Sequence, residues 1–396
     1  MACAGDTTDN DPTIVTNVQL DSDPFNGTLN VVVGDVASVT GAATALGNTL
    51  SVDVNTGGLV LDNTQTLNGA GLAQSTFNVD SARDSLDSLA TAFGNSATIT
   101  TCCGAIDAVS VQTTGVNAGI TAISDVNIGN WAMNPSSSAT AVANAISYET
   151  WIGDYINGWA GQTNNAPVLA DAAIDAPFVA DSAIATATAM GNSALAGGEN
   201  ATLDVDANQD NFGPGISAMA RINAGDSEDV IATATATGNG YTVDNAFGFA
   251  KVRSTQDNSA AIIAESEVTL GNWDGWNAST AYAVANSTMV SNIGSDIDLE
   301  AIQNNDGDVT ATSSFTGGVA GNGVTDFVAS SAAFGNAVSG FICTTCSGGI
   351  TGSANQTNAG NISATTTVNA SSDGTIIGTA TAVGNSATFH TVTTGD

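Results

Sequence analysis

The 396 residues include 38 acidic side chains against four basic ones, Arg83, Arg221, Lys251 and Arg253, for a formal net charge of -34. That excludes nucleic acid and anionic membrane surfaces as partners, since both require a basic footprint. There is no apolar run of 18 residues, hence no transmembrane helix, and no signal-peptide pattern. The single histidine, His390, leaves most metal and acid–base constellations without their parts.

Residues 1–18, with Asp6, Asp9, Asp11 and Pro12, read as an N-terminal lead-in or cap. Met1-Ala2-Cys3 looks like an initiator set before a mature chain. Cys3 reads as an ordinary thiol, with lipid attachment the alternative if an export signal once preceded it.

From residue 19 to 396 the chain reads as one repeat array. Ala43-Thr44-Ala45-Leu46-Gly47-Asn48 opens a series of eight related segments, each ending in asparagine: Asn48, Asn95, Asn144, Asn192, Asn239, Asn286, Asn336 and Asn385. A second anchor keeps the same period at Gln19, Gln65, Gln112, Gln162, Gln209, Gln256, Gln303 and Gln356. In five copies asparagine follows it two residues later, at Asn164, Asn211, Asn258, Asn305 and Asn358. Two anchors holding one period of about 48 residues are the signature of a repeat architecture.

Small apolar and β-branched polar residues alternate in the first anchor, which suits a strand. Gly and Asn in mid-motif and the scarcity of leucine stripes argue against helix. The predicted fold is therefore all-β, an elongated β-solenoid or β-helix of about eight repeats. Identical residues one period apart would lie above one another. Stacked Asn and Gln would then bond through their amides along the axis, where a lone buried amide would cost about 1–3 kcal/mol. One wide coil per repeat gives a rod of about 40 Å, and two narrow coils about 80 Å. With aromatics at 5%, the core should be thin and stacked.

Aromatics gather at two repeat boundaries, Trp131, Trp151, Tyr155 and Trp159 at one, Trp273 and Trp276 at the other. Gly129-Asn130-Trp131 and Gly271-Asn272-Trp273 hint at a longer order of three repeats. Structurally these rings would plug the wide part of a coil or close its corner. Functionally, Trp151 and Trp159 could stack on sugar rings.

Cys102-Cys103 and Cys343-Thr344-Thr345-Cys346 occupy one phase of the repeat. Five repeats separate the pairs, at least ~24 Å along the axis, well beyond the reach of about 7 Å for a disulfide. Cys343 with Cys346 is the expected local disulfide, whereas Cys102 with Cys103 would be a rare vicinal bridge. Asn304-Asn305-Asp306-Gly307-Asp308 slightly resembles a calcium-binding turn but lacks the closing glutamate. No cofactor is expected, calcium being the one candidate ion. The acidity reads first as a solubility device that keeps strand edges apart. No carboxylate pair stands out for glycosidase chemistry, so the chain reads as a non-enzyme.

The block Gly340-Phe341-Ile342-Cys343-Thr344-Thr345-Cys346-Ser347-Gly348-Gly349, with Gln356-Thr357-Asn358-Ala359-Gly360-Asn361-Ile362-Ser363-Ala364 and Thr379-Ala380-Thr381-Ala382-Val383-Gly384-Asn385-Ser386, resembles the holdfast anchor protein D family of stalked alphaproteobacteria. The resemblance implies an extracellular protein of the outer surface that fastens polysaccharide holdfast to the cell envelope beside partner anchor proteins. It brings no catalytic residues. More distantly the Gln/Asn phasing resembles curlin-like functional amyloid subunits, whose repeats are shorter. The alternative reading is a fibre subunit of a biofilm matrix, self-associating by end-to-end stacking of coils.

Overall fold

A computed structural model describes residues 12–55, 57–152, 154–342, 348–370 and 374–391, without the side chains of 320–324. The Cys343–Cys346 pair lies outside the described residues. The first coil comprises β1 (Thr13–Asp21), β2 (Phe25–Val36) and β3 (Val39–Val54). The second is β4 (Leu59–Leu67) with the long β5 (Gly71–Thr101), and the third β6 (Ile106–Thr114) with β7 (Ile120–Thr150). The fourth holds β8 (Tyr155–Asn164), β9 (Val168–Phe178) and β10 (Ser182–Glu199). The fifth holds β11 (Thr202–Asn211), β12 (Gly215–Ser227) and β13 (Asp229–Ala246). The sixth is β14 (Ala250–Asn258) and β15 (Ala261–Ile293), and the seventh β16 (Ile297–Asn305) and β17 (Val309–Ile342). The eighth is β18 (Ile350–Asn358), β19 (Ile362–Asn369) and β20 (Ile376–Thr391).

Every strand pairs in parallel with its counterpart one repeat away, so each repeat forms one wide coil of an all-β solenoid. Eight coils at about 4.8 Å spacing make a rod of about 40 Å. The first coil already begins at Thr13, within the stretch read as a lead-in, because Thr13 pairs with Leu59.

The coil has three sides. The first is an eight-stranded sheet of the short strands from β1 to β18. The second and third belong to one continuous sheet, because β5, β7, β15 and β17 run through both. Burial alternates strictly along β4, β6 and β14, while in β8 the buried Gly161 interrupts the alternation. Ala187 and Ala189 on the third side and Ala170 and Ala218 on the second are fully buried. Small residues on the inward face let these two sides approach closely. At the anchor the alternation slips by one: Ala189, Gly191 and then Asn192 are all buried, and Gly191 and Gly238 are left out of the paired register. A Cβ on Gly191 would lie 2.6 Å from the Gly238 carbonyl oxygen. The glycine is therefore a bend residue, and it turns the asparagine inward.

The longer order of three repeats takes a different form. Trp131 pairs with Ser81, while Trp273 pairs with Ser227, and the bridge Ala132–Val179 shows that these two columns differ by one residue. A register shift beside Val79 and Ser81 causes this. A bulge reverses which face a side chain occupies. Trp273 is accordingly buried and Trp131 half-buried. Trp273 meets Phe315 edge-on at 5.3 Å, and Phe315 stacks on Phe327 at 3.7 Å. These rings fill the corner between the second and third sides.

Candidate functional site

The most ordered chemistry lies inside the rod, where the first side meets the bend of the third. Gln65 Nε2 donates to Gln19 Oε1 at 2.7 Å, and each later glutamine donates to the one before it, ending with Gln356 to Gln303 at 2.8 Å. The second amide hydrogen crosses the coil to a backbone carbonyl beside the bend, as from Gln209 to Gly240 O at 2.9 Å. The asparagines run the opposite way. Asn48 Nδ2 donates to Asn95 Oδ1, and each donates to the next coil until Asn336 reaches Asn385 at 2.8 Å. Their second hydrogens return to the first side, as from Asn239 to Asp257 O at 2.9 Å. Two columns of side-chain amides thus point in opposite directions, and their dipoles oppose each other.

A third column occupies the turn from the first side to the second. Asn164, Asn211, Asn258, Asn305 and Asn358 are linked at 2.7–2.9 Å, each donor reaching forward. Asn164, Asn258, Asn305 and Asn358 also close their own turn, as Asn258 Nδ2 does to Ala260 O at 2.9 Å. In the second and third coils that place is taken by Leu67 and Thr114. The segment that resembled a calcium turn is one of these turns. Asn305 is buried in the column, Gly307 O accepts from it, and Asp308 Oδ1 accepts from Asn361. Among the described residues no group of three or more His, Cys, Asp or Glu is placed to hold a metal. Buried serines add a further path, Ser75–Ser88–Ser124–Ser137, which joins the second side to the third at 2.8–2.9 Å.

Outside, the first side mixes apolar and charged side chains, with more apolar ones on the early coils. Ile14, Val18, Leu20, Val60 and Val109 are exposed on the early coils beside the exposed Asp62 and Asp107, and Trp159 lies half-buried next to Val109 in register. Gly161 leaves room for the Trp159 indole, which an added Cβ would strike. Trp151, 67% exposed, stands at the corner just before this strand. On later coils the same surface holds Asp204, Asp206, Lys251 and Arg253. Arg253 donates to Asp204 at 2.6 Å and pairs with Asp206, and Lys251 lies 3.4 Å from Asp204. Burial works to raise the Asp204 carboxyl, but the Arg253 and Lys251 contacts outweigh it and hold it below the usual value. Arg221 pairs with Asp171 at 2.7 Å, while Arg83 stands exposed. His390 sits on the last coil beside Phe341. The Sγ atoms of Cys102 and Cys103 are 2.8 Å apart, too far for a bond between them, which needs about 2.05 Å.

The serine path and the exposed apolar cluster of the first side escaped the sequence reading. Both were readable only from columns, since neither recurs at one phase in every repeat.

This is a structural rod, a three-sided parallel β-solenoid tied by internal amide ladders. A family model described as holdfast attachment protein D matches residues 33–308, and the chain belongs to that family. Compared with curated proteins and with solved structures, the chain finds no match.

Proposed function

We propose that this protein is a non-enzymatic, extracellular anchor that holds surface polysaccharide to the bacterial envelope beside partner anchor proteins. The observation that carries this reading is the cluster of exposed apolar and aromatic side chains on the early coils of the first side. An unbroken ladder interior makes the rod stiff, and one face presents exposed aliphatic side chains interspersed with Asp62 and Asp107, with Trp159 beside Val109 and Trp151 at the corner. Flat aromatic and aliphatic surfaces suit the apolar faces of sugar rings, with the Thr16, Thr64 and Thr66 hydroxyls nearby on the same face. The amide columns serve as scaffold, and Trp151 and Trp159 take the sugar.

The test is retention of purified polysaccharide by the wild-type protein and by a Trp151→Ala/Trp159→Ala variant of unchanged circular dichroism. Loss of retention in the variant is the expected result. Equal retention by both would end the assignment to these rings.

A further inference from the structure

We propose that a notch in the corner between the third side and the first, at the fourth coil, receives the protonated amine of an amino sugar. This deepens the anchor reading and rests on it, because it says what kind of sugar stands against Trp151.

Two glycines make the notch. In register, Gly197 lies between Glu149 of the third coil and Asp244 of the fifth, and Gly198 lies between Thr150 and Asn245. At both positions every other coil carries a side chain. The missing pair leaves a gap one coil high, within a cavity of about 380 Å³. Two rungs, about 10 Å, separate the Cα atoms of Glu149 and Asp244, so their carboxylates flank the gap from both sides. Glu199, next after Gly198, adds a third carboxylate, and Trp151, next after Thr150, sets an exposed indole at the rim. The residues lining this cavity include no Lys, Arg or His. Ser147 donates to Glu149 at 2.8 Å and Ser291 donates to Asp244. Among the described residues, none of the three carboxylates forms an ion pair.

A buried acceptor aims into the same gap. Asn245 is 2% exposed. Its Nδ2 spends both hydrogens, on Gly248 O at 2.8 Å and on Ala201 O at 3.1 Å, which fixes the orientation of the amide. Its Oδ1 then has no partner. A Cβ on Gly198 would lie 2.9 Å from that oxygen, so the oxygen faces the place the missing side chain would fill. A buried acceptor left without a donor is costly. An ammonium brings three donors, one for Asn245 Oδ1 and two for the carboxylates. The indole face attracts a cation within about 6 Å and stacks on the ring that carries it. A lysine side chain would bring the same ammonium but no ring for Trp151. The three carboxylates are not placed to ligate one metal ion, whereas an amine on a ring spans them without such convergence.

The test is calorimetric titration of the full chain with the β-1,4-linked tetramer of glucosamine, with the same tetramer N-acetylated, and with spermidine. Acetylation keeps the rings but removes the charge and two of the three donors. Wild-type protein should bind the glucosamine tetramer about tenfold or more tightly than the acetylated one, with the difference shrinking in high salt. Glu149→Gln/Asp244→Asn keeps the shape of the notch and should remove most of that preference. Gly197→Leu keeps the charge and fills the notch, and it should do the same. A Cβ at Gly197 meets nothing closer than 3.6 Å, so the fold tolerates it. The readout is the ratio between the two tetramers, which a variant that merely loosened the fold would leave unchanged. Equal binding of both tetramers, no binding of the glucosamine tetramer, or variants with the wild-type ratio would overturn the proposal. So would spermidine binding as tightly as the tetramer, since a bare ammonium would then suffice. Should a variant fail to fold, the wild-type ratio alone decides. Retention of polysaccharide that depends on Trp151 and Trp159, without any preference between the tetramers, would strike this inference and leave the anchor reading standing.

Discussion

Two parts of the interior follow different rules. The amide seam between the first side and the bend keeps one residue type per column through all eight coils. The corner between the second and third sides changes at almost every coil, from Ala82 to Ala132, Val179, Ser227 and Trp273 along one column. An amide ladder satisfies each member only if its neighbours are amides in the same orientation. An apolar corner needs only its volume filled, and volume can be traded between adjacent coils. The seam therefore demands identity and the corner tolerates variety.

The largest expected effect breaks the seam. Asn239→Leu should orphan the Asn192 donor, the Asn286 acceptor and Asp257 O, at a cost of about 3–5 kcal/mol in denaturant unfolding. A loss under about 1 kcal/mol would mean water replaces the amide and the ladder is not obligatory. Next comes the corner. Trp273→Ala should cost about 3–4 kcal/mol through the cavity left against Phe315. Trp273→Phe should restore more than half of that, whereas no conservative exchange should rescue position 239. If Asn239→Gln proves as mild as Trp273→Phe, the contrast collapses.

The exposed surface supplies the smaller effects. Arg253→Ala removes contacts to Asp204 and Asp206 that are partly exposed, and a loss below about 1 kcal/mol, shrinking in high salt, is expected. Asp210 and its column neighbour Asp257 give the smallest signal. Burial first, then the Asp257 charge, raise the Asp210 carboxyl above its ordinary value of 3.8. A carboxyl raised in the folded state favours folding when protonated, so its contribution is lost as pH rises through the folded value. Asp210→Asn should therefore melt higher than wild type at pH 7. The difference should vanish below about pH 3.8. A lower melting temperature at pH 7 would reverse the sign assigned to this column.

Much of this was legible in the chain itself, for a physical reason. Identical groups bond along an axis only when they recur at a fixed period, so the seam had to be written as repetition. Asn48 to Asn385 and Gln19 to Gln356 recur in this way, and with them the all-β solenoid class and its eight repeats. The choice of one coil per repeat was not legible, because a period of about 48 residues fits either winding until strand pairing is known. Nor was the difference between Trp131 and Trp273, which share the same tripeptide. A single bulge turns one ring outward and leaves the other inward, and bulges depend on the neighbouring coil. The exposed apolar cluster of the first side likewise exists only across strands, setting Ile14 beside Val60 and Val109 beside Trp159 from separate repeats. The sequence by itself determined the period and the chemistry of each column. Tertiary structure decided which columns meet across the coil and which way their donors point, because those depend on contacts between residues some thirty positions apart within a coil.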